Sequence, residues 1–184
     1  GYNDGQARVY LRPLPGLAAV WPSEVLTLLI SALAGVATVY LTWRLGRLLF
    51  GPGVGWLSAL LLTFSFVHLH YSRSGFPVSV PTFFVYLGWW WYLTSVTPAV
   101  ADERQRLRRV FLSGCAIGYA LSCHYNLFWV PLVFFALLFQ GRRRLFTFIA
   151  GAVLPLLVFE GIGRLVKWYV YRSPALVEAV QAAL

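Results

Sequence analysis

Residues 68–81 read HLHYSRSGFPVSVP, and this polar stretch separates two apolar runs that are each long enough to cross a membrane. The runs Leu48–Ser72 and Ser74–Ala101 contain no acidic residue, lysine or arginine. About 20 apolar residues suffice for a helix to cross the hydrocarbon core. A charge between two such runs is costly unless it faces water, a headgroup or an anion. Arg73 therefore marks the first place to look for a functional site.

The composition is that of an integral membrane protein. Hydrophobic residues make up 59% of the chain, charged residues only 11%, and the mean hydropathy is +0.70. These values exclude an ordinary soluble domain. We predict an all-α fold, a polytopic transmembrane helical bundle of about six spans. Four of the spans are predicted near Val25–Leu49, Val54–His70, Pro81–Ser95 and Leu145–Phe159.

The run Val110–Gly141 is predicted to supply the other two spans. The net charge of +9 comes from arginines that cluster between apolar runs, which is typical of membrane topology and not of nucleic-acid binding. Positively charged loops stay in the cytoplasm. A hairpin that returns at His124–Asn126 keeps all three basic clusters on that side. These clusters are Arg44 with Arg47, Arg104–Arg109, and Arg142–Arg144.

The chain divides into three parts by composition. Residues 1–22 contain three prolines and no sustained helical period, which indicates an outer-face loop remnant. Residues 23–172 form the predicted transmembrane core, and residues 173–184 the start of a following outer-face segment. Ser23 would cap the first helix, and Gly51–Gly53 would end it. Because the chain starts with glycine and contains no methionine, we expect it to be part of a longer protein.

The outer face of this topology collects the candidate binding residues. Arg73 with His70 and Tyr71 offers donors to a phosphate or pyrophosphate. The alternative is an arginine that reaches the membrane interface beside aromatic side chains, and both interpretations stay open. His68 and His70 would point to different faces of a helix, and no carboxylate is near them, so no metal ligand is predicted.

Two further positions have a functional and a structural interpretation. His124 and Tyr125 would donate to the same anion or would cap two short helices. Asp4 is the only acid of the N-terminal loop, and it would be a general base or a turn aspartate between Asn3 and Gly5. Glu160 and Arg164 have the spacing of a helix-surface ion pair.

The order of these landmarks resembles a known family over roughly residues 10–172. A first span ends in the basic turn RLGRLLFG at residues 44–51, a second ends in YSR at 71–73, and the segment 77–84 reads PVSVPTFF. The segment 114–134, GCAIGYALSCHYNLFWVPLVF, looks like a pair of short helices before a basic turn. These pieces resemble the core of membrane-embedded glycosyltransferases with the GT-C fold, which include protein O-mannosyltransferase-like and aminoarabinose-transferase-like enzymes.

The resemblance implies transfer of a sugar from a polyprenyl-phosphate carrier to a lipid, glycan or protein acceptor at the outer face. Arg73, His70 and Tyr71 would hold the departing phosphate, and His124 and Tyr125 would approach it or line the acceptor groove. No cofactor is implied, and nothing in these residues supports a divalent metal. The expected location is the plasma membrane of a bacterium or archaeon.

The family usually carries its catalytic acid in the first outer loop, where this chain offers only Asp4. Val78 and Ser79 stand where the outer turn of the family commonly has an aspartate, which puts a carboxylate role there in doubt. We expect this part of the protein to be inactive alone. The rival interpretations are a transporter or flippase that binds a polyanionic lipid without chemistry, and a non-catalytic membrane scaffold.

Overall fold

The computed structural model describes residues 24–73, 78–97, 102–123 and 141–172. In these ranges every regular element is a helix, which confirms the all-α prediction. The helices are α1 Glu24–Phe50, α2 Pro52–Thr63, α3 Phe66–Arg73, α4 Ser79–Val96, α5 Glu103–Cys123 and α6 Arg142–Arg172.

The end of α1 follows the predicted glycine-proline break. Gly51 adopts a φ of 96°, a left-handed conformation that a side chain disfavours. Its N–H donates to the Arg47 carbonyl over 3.2 Å and closes the last turn of α1. Pro52 then occupies the first turn of α2, where its missing N–H costs nothing.

The predicted span Val54–His70 is not one straight helix, because the chain bends by 59° between α2 and α3. Two hydroxyl groups at the break form hydrogen bonds with backbone groups of the adjoining helices. Thr63 Oγ1 donates to the Ala59 carbonyl over 2.8 Å, and Ser65 Oγ accepts from the His68 N–H at 3.5 Å. The polar stretch that begins at His68 is helical as far as Arg73, three residues beyond the predicted end of the span at His70.

The helix α4 lies within two residues of its predicted bounds, but α5 begins earlier than expected. The charged run at 103–109, which precedes the predicted span from Val110, is the first part of α5. Asp102 caps this helix, because its Oδ1 accepts from the Arg104 N–H at 2.9 Å. No glycine or proline separates Glu103 from Val110, so the helix continues without interruption.

Contacts between helices give the bundle two distinct ends. At one end, Ser31 of α1 and Ser79 of α4 both donate to the Tyr71 carbonyl of α3, over 3.2 Å and 2.8 Å. We call this the α3 end. The helices α1 and α4 run parallel away from it, since the Arg44 guanidinium lies 4.5 Å from the Trp90 ring centroid further along both.

The opposite end carries the three basic clusters, and we call it the basic end. Besides Arg44, it holds Arg109, whose Nη1 donates to the Thr94 carbonyl over 3.0 Å. Arg144 Nη2 pairs there with Glu103 Oε2 at 3.4 Å. The structure therefore brings the predicted cytoplasmic clusters to the same end of the bundle.

The helices α5 and α6 run parallel. They meet at the basic end through Glu103 and Arg144, and further along through the rings of Tyr119 and Phe159, whose centroids are 5.3 Å apart. The last residue of α5 and the first residue of α6 therefore lie at opposite ends of the bundle. The predicted hairpin at His124–Asn126 lies outside the described residues.

The core is built around α4, α5 and α6. Its buried apolar side chains are Tyr92, Val110, Ile117 and Phe148. Glycines allow close approach: a Cβ on Gly118 would lie 2.8 Å from the Ala152 backbone carbon. A smaller cluster around Ala34 and Val80 joins α1 to α4.

Over the described residues, one unbroken helix is long and apolar enough to cross a membrane, Thr27–Phe50 within α1. The bent pair α2 and α3 counts as a second span if it is taken as one unit. The chain thus carries membrane-type helices, while the number of about six spans stays a prediction.

Candidate functional site

The last turn of α3 presents two of the predicted binding residues on one open groove. His70 and Arg73 are three positions apart, which brings them to the same face of a helix. They line a cavity of about 450 Å³ together with Phe66 and Leu69. Both polar side chains are exposed, so the groove is open to a ligand.

Aromatic neighbours hold the His70 imidazole beside this groove. Its ring stacks on Phe66 with a centroid distance of 6.0 Å and an interplanar angle of 18°. The Tyr71 ring meets it edge-on at 5.5 Å. The predicted trio of His70, Tyr71 and Arg73 is therefore contiguous, with His70 between the aromatic rings.

The backbone of α3 is fixed by two serines from neighbouring helices. The Tyr71 carbonyl belongs to the last turn of α3, where carbonyl groups lack partners within the helix. Ser31 and Ser79 supply those partners, at 3.2 Å and 2.8 Å. This double hydrogen bond ties α1, α3 and α4 together two residues before Arg73.

The sequence interpretation missed both serines. Each lies in an apolar helix, where an isolated hydroxyl that cannot reach water needs a partner. Ser31 and Ser79 are buried, with 0% and 6% of their surface exposed. A small polar residue within an apolar run was the signal that the sequence offered. The partner of Ser31, however, is the Tyr71 carbonyl 40 residues away, and residue spacing does not predict such a contact.

His68 faces away from the groove and towards α1. Its Nε2 lies 3.8 Å from the position of a Cβ built on Gly35, whereas His70 lines the groove. The two histidines therefore do not converge on one ion. Among the residues described, no cluster of three His, Cys, Asp or Glu side chains is arranged to hold a metal ion.

The other predicted site residues lie outside the described part of the chain. Asp4, His124 and Tyr125 belong to this group, so their approach to the groove stays a prediction. The side chain of Glu160 is also outside the description, and Arg164 is exposed on α6.

The groove has the chemistry of an anion site. A guanidinium group offers a planar fork of donors, and an imidazole adds one or two more. In the described ranges no carboxylate lies within ion-pair distance of Arg73. Phe66 and Leu69 are 80% and 40% exposed, which adds an apolar wall beside the donors. A phosphate attached to an apolar chain would satisfy both kinds of surface.

Comparison with known proteins agrees with the resemblance found in the sequence. The sequence model of one family, described as dolichyl-phosphate-mannose-protein mannosyltransferase, matches residues 19–168. The matched range includes the whole of α1 to α5, most of α6 and the groove at Arg73. Searches among curated proteins and among solved structures found no match.

Proposed function

The chain belongs to the dolichyl-phosphate-mannose-protein mannosyltransferase family, and from this premise we propose that it transfers a sugar from a polyprenyl-phosphate carrier at the outer face of a membrane. In this reaction the bond between the anomeric carbon and the phosphate oxygen breaks. A hydroxyl of a lipid, glycan or protein acceptor forms the new bond and releases its proton to a base. The phosphate leaves on its lipid.

The groove formed by His70 and Arg73 is the observation that carries this proposal. Negative charge accumulates on the leaving phosphate as the bond breaks, and a preorganised cation stabilises that charge. Arg73 is assigned this role, with His70 and Tyr71 as further donors. Phe66 and Leu69 would contact the first isoprene units of the carrier.

The two-ended charge distribution supports the proposed orientation. The basic end contains Arg44, Arg109 and Arg144, and the groove belongs to the opposite, α3 end. If the basic end stays in the cytoplasm, as positively charged loops do, the groove opens at the outer face. The carrier phosphate would meet Arg73 there.

Exposed apolar side chains support a bundle surrounded by lipid over several helices. They occur along helices α1, α2 and α6, whereas soluble proteins rarely expose large continuous apolar surfaces. Examples are Leu33, Val36, Trp56, Leu61, Phe146, Leu157 and Leu165, all at least 60% exposed. We propose that these helices, with α4 and α5, span the membrane of a bacterium or archaeon.

The base that accepts the acceptor proton is assigned to a carboxylate or a histidine. Asp4, which precedes α1 in the sequence, is the candidate carboxylate. His124 and Tyr125 are proposed to approach the phosphate or to line the acceptor groove. No cofactor is required for this transfer.

A binding measurement tests the role of Arg73. The chain and its Arg73→Gln variant are titrated with a short polyprenyl phosphate in detergent, and Arg108→Gln, an exposed arginine of α5, serves as the charge-matched control. A hydrogen bond to a charged group contributes about 1.5–3 kcal/mol, so Arg73→Gln should bind at least about tenfold more weakly. Unchanged affinity in Arg73→Gln would remove the groove as the phosphate site.

A second measurement separates transfer from transport. Polyprenyl-phosphate sugar is supplied to the full-length protein, and release of the free polyprenyl phosphate is followed. The proposed reaction produces the free carrier in step with a glycosylated acceptor. Movement of the intact donor across the bilayer without release would instead indicate a flippase.

A further inference from the structure

A second polar groove lies at the basic end of the bundle, away from the site at Arg73. It has a volume of about 270 Å³, and it is lined by Arg44, Arg47, Leu48 and Trp90. The two arginines are three positions apart on α1 and so share one face of the helix. Trp90 belongs to α4, and the groove therefore lies between two helices.

Aromatic rings hold both guanidinium groups in position. The central carbon of the Arg44 guanidinium lies 4.5 Å from the Trp90 ring centroid, and that of Arg47 lies 5.7 Å from the Trp43 centroid. Within the described ranges, neither of these guanidinium groups donates a hydrogen bond to a protein acceptor or pairs with a carboxylate. The donors of Arg44 and Arg47 thus remain available to an anion.

The positive charge of this groove is not neutralised within the described part of the chain. The ion pair at this end joins Arg144 to Glu103, and no described carboxylate is within pairing distance of Arg44 or Arg47. Arg109 is engaged by the Thr94 carbonyl. Further arginines on α5 and α6 raise the local positive potential, which favours an anionic ligand.

The groove continues into an apolar surface. Tyr40 and Val36 precede Arg44 by four and eight positions on α1, towards the middle of the helix, and 54% and 70% of their surfaces are exposed. A soluble phosphate would make no use of these side chains. A lipid would bring its acyl chains against them while its headgroup meets the arginines.

We propose that this groove binds the phosphate headgroup of an anionic bilayer phospholipid. The two guanidinium groups donate to the non-bridging oxygens of the phosphodiester, and the acyl chains lie along Tyr40 and Val36, towards the bilayer centre. Basic pockets between membrane helices are a known way to recognise such headgroups. This site is distinct from the groove at Arg73, which belongs to the opposite end of the bundle.

Competition between two lipids in detergent tests this site. The purified chain is mixed with phosphatidylglycerol and phosphatidylcholine in equal amounts, and the bound lipid is measured by native mass spectrometry. The variant Arg44→Gln/Arg47→Gln is compared with Arg104→Gln/Arg108→Gln, which removes the same charge from exposed positions of α5 at the same end.

We expect the chain to retain phosphatidylglycerol in preference to phosphatidylcholine. The Arg44→Gln/Arg47→Gln variant should lose this preference by about thirtyfold, since two arginines near an anionic lipid together contribute about 2 kcal/mol. The control should keep it within about twofold. Equal losses in both variants would assign the preference to overall charge and overturn the proposal.

A lysine variant and a competition with inorganic phosphate test whether the groove recognises a lipid headgroup through its guanidinium groups. Arg44→Lys/Arg47→Lys preserves charge and helix propensity but removes the planar fork, and it should retain less phosphatidylglycerol than the unaltered chain. Undiminished retention would contradict recognition by the guanidinium groups. Displacement of the lipid by inorganic phosphate alone would assign the groove to a soluble anion. None of these readouts depends on sugar transfer, so their failure leaves the proposed reaction standing.

Discussion

Gly35 of α1 lies so close to Ser72 of α3 that a Cβ on Gly35 would come within 2.7 Å of the Ser72 Cβ. Carbon atoms in ordinary contact are about 3.5–4.0 Å apart. The two helices therefore approach each other through the missing side chain of a glycine. Ser72 directly precedes Arg73, so this contact determines how near α1 the arginine of the proposed phosphate site lies.

We predict that Gly35→Ala destabilises the bundle and weakens polyprenyl-phosphate binding. The added methyl group must push α3 away, and such overpacking costs about 1–3 kcal/mol, partly offset by about 1 kcal/mol of helix propensity. Thermal unfolding in detergent checks the stability. Gly161→Ala is the control, since nothing lies within 4 Å of a Cβ at that position. Equal melting temperatures for the two variants would contradict the close contact.

The approach of α5 to α6 predicts a larger effect at Gly118. A Cβ there would meet the Ala152 backbone, with its Cα and carbonyl carbon both at 2.8 Å. A backbone cannot rotate away as a side chain can, so α6 as a whole must shift. We expect Gly118→Ala to lower the melting temperature more than Gly35→Ala does. The reverse order would show that α6 adjusts easily.

A buried hydroxyl joins α5 to α4 and offers a milder test. Ser113 Oγ donates to the Gly88 carbonyl over 2.8 Å, and Ser113 is fully buried. Ser113→Ala should cost about 1 kcal/mol, the usual contribution of such a bond. Ser122→Ala is the matched control, because Ser122 donates within its own helix, to the Tyr119 carbonyl over 2.7 Å. Differential scanning calorimetry of both variants gives the comparison.

Much of the arrangement of helices along the chain could be predicted from the sequence, because helix ends depend on nearby residues. The end of α1 follows from Gly51 and Pro52, whose conformations interrupt any helix. The bend after α2 was missed because no glycine or proline marks it, and Ser65, whose Oγ accepts from the His68 N–H at the start of α3, does not change the hydropathy of the run. Hydroxyl residues are common in apolar helices, so their presence alone does not predict a break.

The sequence predicted the residues of the candidate site, but it did not predict the contacts that hold helix α3 in place. His70 and Arg73 share a groove because their spacing is that of one helix face. The contacts that fix α3 come from Ser31 and Ser79 on other helices, and only the fold brings them together. The start of α5 at Glu103 was not predicted, because the span was placed by hydropathy, which rises only at Val110.

The packing of α4 against α5 predicts a specific role for one arginine of the basic end. Arg109 donates to the Thr94 carbonyl near the end of α4, where helix carbonyls are unpaired and carry negative partial charge. Arg109→Gln should destabilise the chain by about 1–2 kcal/mol in thermal unfolding. Arg108→Gln changes the neighbouring exposed residue and should have no measurable effect. Similar losses in both would indicate that bulk charge, and not this bond, stabilises the end of α4.

The two-ended charge distribution predicts which side of the membrane each end faces. Arginine-rich segments stay in the cytoplasm, so a cysteine at Arg104 should react with a membrane-impermeant maleimide only after cells are permeabilised. A cysteine at Gly75, between α3 and α4, should react in intact cells. The native Cys115 and Cys123 are first replaced by alanine so that they do not contribute. Because Arg73 lies two residues before Gly75, labelling of Gly75→Cys only from the cytoplasmic side would move the phosphate groove to the inner face. Sugar transfer at the outer face would then be excluded, whatever the affinity of Arg73 for the carrier.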